Sequence, residues 1–342
     1  MANKKTKKKT VRAIKWNIGQ PLKDTGLLSR REFNRYCAAL GLSLPAVGTI
    51  TAVLSSASAF ADSLASGTPG RTVKFPDGTV VSALGQGSAR LGQGGRPQAD
   101  EEDALRTGLS LGMTVIDTAE VYGKGSAERS ISRVIAGQRD RVFLVSKVSP
   151  GHVAGDGITR ACEESLARLG TDYLDLYLLH WPNGVTDLAH VVKAFENLRA
   201  AGKTRAWGVS NFTVKNMEDL FRVPQGDRCA TNQVLYNLAD RGIERDLLPW
   251  CERHDMPVMA YTPLGGSDSG LLRNSTLTKI GAAHGCTAAA VALAWVIRSG
   301  RVMAIPESGS VAHVKENAVA FSLTLTPQEL ATLNAAYPLP GR

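Results

Sequence analysis

The stretch Leu174-Asp175-Leu176-Tyr177-Leu178-Leu179-His180 is a short, mainly apolar run that ends in a histidine. It has the length and composition of a buried strand. Working outward from it in both directions, we find seven further runs of this kind. They cover residues 83–87, 114–117, 142–147, 205–210, 229–233, 258–261 and 302–305.

Helical patterns separate most of these strand-like runs. They cover residues 100–111, 159–169, 186–201, 213–221, 244–254, 287–298 and 311–320, and a last helix is predicted over 327–336. Strands that alternate with helices predict a parallel sheet. Eight such units in about 240 residues favour a closed (β/α)8 TIM barrel, which is an α/β fold.

An open dinucleotide-binding sheet is the alternative fold. It would need Gly-x-Gly-x-x-Gly at the start of the first helix. Gly85-Gln86-Gly87, followed by Gly92, Gly94 and Gly95, lacks that spacing, and no helix is predicted to begin there. We interpret these glycines as a mobile loop at the barrel mouth. Ahead of them, Asp77-Gly78 between alternating residues predicts an N-terminal β-hairpin over 73–81.

The formal net charge of +9 over 342 residues comes from the N-terminal region alone. Residues 1–61 hold 11 of the 40 basic and 2 of the 31 acidic residues, which leaves 29 of each sign from residue 62 onward. The barrel region, 62–342, is therefore formally neutral and gives no support for a nucleic-acid groove. The five cysteines form no Cys-x-x-Cys pair, so no metal site is expected.

Residues 1–61 resemble a twin-arginine export leader. Arg30-Arg31 precedes Phe33 and Arg35, an uncharged stretch follows over 36–54, and small residues offer cleavage after Ala59 or Ala61. This order predicts export to the periplasm by the twin-arginine machinery, with no stable membrane span. The alternative is a solvated basic tail, or a start site placed too far upstream, on a cytoplasmic protein.

Chemistry in a (β/α)8 barrel lies at the carboxyl ends of the strands. Six consecutive predicted strands end in reactive or hydrogen-bonding groups. These strand ends are Asp117, Lys147, His180, Ser210-Asn211, Asn232-Gln233 and Tyr261, and Tyr122 lies on the loop after the first of them.

Four of these groups suit the reduction of a carbonyl. A carbonyl that accepts a hydride needs a proton on its oxygen, and a phenol such as Tyr122 is a poor acid unless a cation lowers its pKa. Lys147 can be that cation, Asp117 can keep it charged, and His180 can orient the carbonyl oxygen. Each of the four also has a structural explanation on its own, as a cap, a solvated strand end, a core histidine or a packing aromatic.

The motifs resemble those of the aldo-keto reductase superfamily from about residue 71 to 338, and most closely its methylglyoxal/diketogulonate reductase-like branch. They are Asp117-Thr118-Ala119-Glu120-Val121-Tyr122-Gly123, Ser146-Lys147, Leu179-His180-Trp181-Pro182, Gly208-Val209-Ser210-Asn211-Phe212, Asn232-Gln233 and Tyr261-Thr262-Pro263-Leu264. The resemblance implies hydride transfer from NADP(H) or NAD(H) to an aldehyde or ketone by a monomer, with Asp117, Tyr122, Lys147 and His180 as the catalytic tetrad.

The resemblance also implies a set of cofactor-binding residues. Ser210, Asn211 and Gln233 would hold the nicotinamide amide, and Tyr261 would stack on the nicotinamide ring. The remaining implied cofactor residues are Thr262, Leu264, Ile305, Glu307, Ser308, His313, Glu316 and Asn317. Trp181 is predicted to line the substrate pocket.

One position departs from the family pattern. Glu307 stands in Ile305-Pro306-Glu307-Ser308 where relatives have a lysine that binds the 2′-phosphate of NADP, and His313 takes the place of an arginine. A carboxylate repels a phosphate and can accept a hydrogen bond from a ribose diol, so NADH use is one expectation. The other is that Glu307 points to solvent while Ser308 and helix amides near Asn317 still hold the phosphate.

Two functions of other classes are weighed against a reductase. A non-catalytic nicotinamide-binding sensor or partner subunit would have no need of all four tetrad groups. A sugar-binding module would need an aromatic-lined groove, whereas only 6% of the residues are aromatic.

Overall fold

A short antiparallel hairpin comes first in the part of the chain that the computed structural model describes, residues 71–266 and 269–340. Its strands are β1 (Thr72–Lys74) and β2 (Val80–Ser82). The turn places Gly78 at a φ of 89°, where a side chain would be strained, as its Asp-Gly sequence predicts. Phe75 packs its ring on Phe143 at 5.6 Å, next to the start of a barrel strand. The hairpin therefore lies on the N-terminal side of the barrel, and this prediction is confirmed.

Eight parallel strands follow and pair in chain order, which confirms the predicted α/β barrel. They are β3 (Gln86–Gly87), β4 (Val115–Asp117), β5 (Phe143–Val148), β6 (Leu174–Leu179), β7 (Thr204–Ser210), β8 (Asn232–Leu235), β9 (Val258–Tyr261) and β10 (Val302–Ala304). Every residue of β6 is buried, as expected for a parallel strand that is covered on both faces.

The first and last strands meet and close the ring. Gly85 donates its amide hydrogen to the carbonyl of Ala304 at 2.8 Å, and Gly87 donates to Pro306 at 2.9 Å. A Cβ at Gly87 would lie 2.9 Å from the carbonyl oxygen of Ile305, so the close approach requires glycine there. The expectation of one mobile loop is therefore wrong for Gly85 and Gly87, because both belong to the barrel wall.

Ten helices surround the barrel within the described residues. They are α1 (Gln98–Ser110), α2 (Ser126–Ile135), α3 (Gly157–Leu169), α4 (Leu188–Ala200), α5 (Val214–Phe221), α6 (Leu247–Arg253), α7 (Ser275–Ala283), α8 (Ala288–Val296), α9 (Val311–Ala318) and α10 (Pro327–Ala336). Eight of them match predicted helices to within a few residues, and α2 and α7 were not predicted.

Helix α2 was missed although its buried apolar residues Ala127, Ile131, Val134 and Ile135 recur at helical spacing, and its buried face also carries polar groups. Glu128 is fully buried there and accepts hydrogen bonds from the Ser146 hydroxyl at 2.8 Å and the Arg168 guanidinium at 2.5 Å. A buried carboxylate with these two donors is satisfied, so the helix packs on the barrel although its sequence reads as mainly polar.

No single helix in 71–266 and 269–340 has both the length and the apolar composition of a membrane crossing; residues 275–283 and 288–299 reach those limits only as a bent pair. The leader predicted over residues 1–61 lies outside the described residues.

Candidate active site

A buried ion pair joins the ends of β4 and β5. The Nζ of Lys147 lies 2.7 Å from Oδ2 of Asp117, and the two side chains are 0% and 3% exposed. Lys147 also donates to the carbonyl oxygen of Thr118 at 2.8 Å and contacts the hydroxyl of Tyr122 at 3.3 Å. Lys147 thus uses its three ammonium hydrogens on one carboxylate, one carbonyl and one phenol.

The environment of Lys147 keeps it charged. Burial by itself would lower the pKa of its ammonium group, but the charge of Asp117 and the contact with Tyr122 raise it above its usual value. Lys147 is therefore a fixed cation directly behind the phenol, as the sequence predicts.

Tyr122 follows β4 in a short 3-10 segment and lies edge-on to the ring of His180, with 5.7 Å between ring centroids. Burial raises the pKa of its phenol and outweighs the lowering by Lys147, while Asp117 raises it further. The expected net lowering of the phenol pKa is therefore not found in the free protein, although Lys147 acts in the expected direction. The phenol holds its proton at neutral pH, which is the form a proton donor needs.

His180 follows β6 and carries a neutral imidazole. Burial, with help from the charge of Lys147, lowers its pKa to about 3. Its backbone is fixed by an amide hydrogen bond to Val148 at 3.0 Å and by the side chain of Asn211, which donates to the carbonyl of His180 at 3.1 Å. A neutral imidazole offers one N–H donor to a ligand and has no acidic proton to release at neutral pH.

These groups open into a cavity of about 420 Å³ at the carboxyl ends of the strands, where ligands bind in such barrels. We call it the main cavity. Lys147 lies beneath it and does not reach its wall. It is lined by Gly87, Ser88, Ala89, Arg90, Asp117, Tyr122, His180, Trp181, Ser210, Asn211, Gln233, Tyr261, Thr262, Pro263, Leu264, Gly265, Gly266, Ile305, Pro306 and Glu307. The indole of Trp181 is 44% exposed at the mouth of this cavity.

A hydrogen-bond network connects the ends of β7, β8 and β9. Gln233 donates through Nε2 to Oδ1 of Asp117 at 2.7 Å, and its side-chain oxygen Oε1 has no donor among the residues that the structure describes. Asn211 uses its amide hydrogens on Ser210 and His180 and accepts from the Tyr261 hydroxyl at 2.9 Å. Both amide hydrogens of Asn211 are therefore used within the protein, so its side chain can only accept a hydrogen bond from a ligand. The Oε1 of Gln233 can likewise accept from a carboxamide.

The backbone is strained at two of these strand ends. Asn211 has a φ of 64° and Thr262 a φ of 50°, which is rare for a residue other than glycine and most costly for a β-branched one. The carbonyl of Thr262 is held by the amide of Asn237 at 3.1 Å. Strain of this kind is typical of sites where the backbone is held in place for a ligand.

A second cavity of about 330 Å³ adjoins the main one, and both are lined by Arg90 and Glu307. The predicted cofactor residues Ser308 and His313 lie in this second cavity, and Glu307 is shared. Glu316 and Asn317 lie further along α9 and line neither cavity. Gly95 of the predicted glycine loop also lines the second cavity, whereas Arg90, Leu91, Arg96, Glu101 and Gly309 were not singled out from the sequence.

Glu307 does not simply point to solvent. Its Oε1 accepts the backbone amide hydrogen of Arg90 at 2.8 Å and so links the loop after β3 to the loop after β10. Burial raises the pKa of this carboxyl, while the amide and charge of Arg90 lower it.

The fold and the site together define a class of enzyme. The chain matches the model of the aldo/keto reductase family over residues 83–338 and belongs to that family. It is an oxidoreductase with a (β/α)8 barrel.

Particular relatives are similar over most of the chain. Methylglyoxal reductase YeaE of Escherichia coli (strain K12) is 48% identical over 273 residues, which cover 79% of this chain and 96% of the relative. An aldo/keto reductase from Klebsiella pneumoniae, solved in complex with NADP and acetate, has a TM-score of 0.77 and 49% identity over 80% of this chain and 97% of that chain. A structure from the same organism, with the same scores, contains NADPH.

Proposed function

We propose that this protein reduces small aldehydes and ketones to alcohols with a reduced nicotinamide cofactor, and that α-oxoaldehydes such as methylglyoxal are among its substrates. The observation that carries the proposal is the Asp117–Lys147–Tyr122 chain, which meets His180 in one cavity. The methylglyoxal reductase of Escherichia coli supports the substrate class.

The residues present suit a bound nicotinamide. Tyr261 offers a half-buried ring on the wall of the main cavity, and the side-chain oxygen Oε1 of Gln233 can accept from a carboxamide. When bound there, a reduced nicotinamide would supply a hydride for the carbonyl carbon of the substrate. The chain's own part is to hold the carbonyl oxygen between Tyr122 and His180, which both border the cavity.

Proton delivery falls to the phenol of Tyr122. As negative charge develops on the substrate oxygen, the Tyr122 hydroxyl donates its proton there. The phenolate that remains is stabilised by the ammonium of Lys147, whose own charge Asp117 maintains. The neutral ring of His180 donates a second hydrogen bond to the same oxygen and orients it.

The test compares the wild-type full chain with Tyr122→Phe, following NADPH oxidation by methylglyoxal and cofactor binding in parallel. We expect kcat to fall by about 10²- to 10⁴-fold, the usual contribution of a general acid, with the Kd for NADPH little changed. Tyr173→Phe is the matched control, because it removes a phenol hydroxyl outside the main cavity. Equal rates for wild type and Tyr122→Phe would overturn the proton-donor assignment.

The same assay separates the enzyme from a sensor. A wild-type protein that binds NADPH and oxidises it with none of a panel of aldehydes and ketones would be a nicotinamide-binding sensor. The completeness of the tetrad supports the reductase, because a sensor gains nothing from Lys147 and Asp117 behind the phenol.

We further propose that residues 1–61 direct export through the twin-arginine machinery. The support is the sequence alone: Arg30-Arg31, the uncharged stretch that follows, and the small residues up to Ala61. Fractionation of cells that express the full chain should place it in the periplasm, and Arg30→Lys/Arg31→Lys should retain it in the cytoplasm. Identical fractions for both proteins would refute export by this route.

A further inference from the structure

The second cavity continues the main cavity past Arg90 and Glu307. If the nicotinamide of a dinucleotide lies in the main cavity, its adenosine part extends outward, and the second cavity is the space that adjoins it. Whatever lines it therefore contacts the far part of the cofactor. This step rests on the proposed function.

The carboxylates in the second cavity are already bound by the protein. Oε1 of Glu307 accepts the Arg90 amide hydrogen at 2.8 Å, and Oε2 of Glu101 accepts that of Gly92 at 2.8 Å. Both bonds come from the loop between β3 and α1. They fix the two acids to that loop and occupy part of their accepting capacity.

The cations in the second cavity are not bound in this way. Arg90 and Arg96 are exposed on the loop after β3. Their guanidinium groups make no hydrogen bond or ion pair with another residue in 71–266 or 269–340, and the charge of Arg90 acts on the Glu307 carboxylate from a longer distance. The side chain of Arg96 lies close to Gly309, because a Cβ added at Gly309 would lie 2.8 Å from Cδ of Arg96. Both arginines therefore line the same cavity as Ser308, and their guanidinium hydrogens have no acceptor among the described residues.

We infer that Arg90 and Arg96 bind the 2′-phosphate of NADP(H) and so replace the lysine that Glu307 displaces. A guanidinium presents a planar fork of donors that matches a phosphate and forms charge-assisted hydrogen bonds with it. The specificity of the enzyme for the phosphorylated cofactor then comes from the loop after β3 instead of the loop after β10.

Calorimetric titration of the full chain with NADP⁺ and with NAD⁺ tests this, because the two ligands differ only by the 2′-phosphate. We expect the wild type to prefer NADP⁺. Arg96→Ala and Arg90→Ala should each weaken NADP⁺ binding by about ten- to a hundredfold, and should leave NAD⁺ binding nearly unchanged. Arg96→Lys should restore part of the loss, since it keeps the charge and loses the fork.

Arg253→Ala is the matched control, because Arg253 is an exposed arginine outside both cavities. The inference is overturned if the arginine variants weaken both nucleotides equally or change neither, or if the control shifts NADP⁺ binding as much as they do. If the wild type binds neither nucleotide, the proposed function itself fails. A correct proposed function with a wrong arginine assignment would show nucleotide binding whose selectivity the variants leave intact.

Discussion

The buried pair of Asp117 and Lys147 makes the change Asp117→Asn the most informative perturbation. The carboxylate accepts from Lys147 and from Gln233, each at 2.7 Å, while Lys147 is 0% exposed. An amide at 117 has a single oxygen, so at most one of these donors keeps a full partner. Removing one member of a buried pair costs about 3–5 kcal/mol, a large part of the roughly 5–15 kcal/mol that holds a domain folded.

The cost of Asp117→Asn depends on pH in a defined direction. In the wild type, Asp117 and Tyr122 raise the pKa of Lys147 despite its burial, so the pair stabilises the fold below about pH 10.4 and this stability is lost as pH rises through the raised value. In the variant, the carboxylate no longer opposes the effect of burial, so burial lowers the pKa of Lys147. The unfolded chain then binds a proton that the folded chain lacks, so stability rises with pH up to about 10.4.

Chemical denaturation of both proteins between pH 7 and 10 measures this difference. We expect the gap in the free energy of unfolding to be widest at pH 7 and to shrink toward pH 10. The rate with methylglyoxal should fall at least about a hundredfold, because an uncharged lysine no longer stabilises the phenolate. The double variant Asp117→Asn/Lys147→Met should be more stable than Asp117→Asn alone. A loss below about 1 kcal/mol with no pH dependence would refute the reasoning.

Three further predictions address the histidine, the barrel closure and the cofactor. His180 should stay neutral down to about pH 3, so NMR should show no titration of its ring near pH 6.5. Since the unfolded chain does take up a proton there, the free energy of unfolding of the wild type should fall below pH 6.5 by up to about 1.4 kcal/mol per pH unit relative to His180→Gln. Gly85→Ala should destabilise by about 1–3 kcal/mol in denaturation, because its Cβ would lie 2.8 Å from that of Val115, whereas Gly95→Ala, with open space, should not. Glu307→Lys should raise the ratio of kcat/KM for NADPH over NADH by about tenfold, since it exchanges a repulsive charge for an attractive one; an unchanged ratio would contradict the placement of the phosphate.

The tetrad could be predicted from the sequence because its geometry follows from the barrel itself. Parallel strands that pair in order bring their carboxyl ends to one rim, so Asp117 and Lys147 had to be neighbours once the strands were identified. Asp117 pairs with Val145 in this register, so Lys147 lies on the same face two residues further along β5, and its side chain reaches Asp117 at 2.7 Å. The net pKa of Tyr122 could not be predicted in the same way, because burial depends on the loops that cover the phenol.

The residues that line the second cavity could not be predicted from the ends of the strands, because most of them lie on loops. Arg90 and Arg96 lie on the loop whose glycines predicted a mobile segment at the barrel mouth, and no periodicity indicates which way such side chains point. The link from the Glu307 carboxylate to the Arg90 amide joins two loops that are 217 residues apart in the chain. Such a contact exists only once the ring between β3 and β10 has closed.

This contrast bears on how cofactor choice can change while the reaction stays the same. The tetrad depends on buried strand ends, where the loss of one partner leaves a buried charge or donor unsatisfied and destabilises the whole barrel. The second cavity depends on exposed loops, where a lysine can become Glu307 at little cost to folding if the new carboxylate finds a backbone amide. A cation for the phosphate can then come from any loop that borders the same cavity. With the phosphate on Arg90 and Arg96, as proposed, the cofactor preference of this protein depends on the charges of the loop after β3 together with the motif positions after β10.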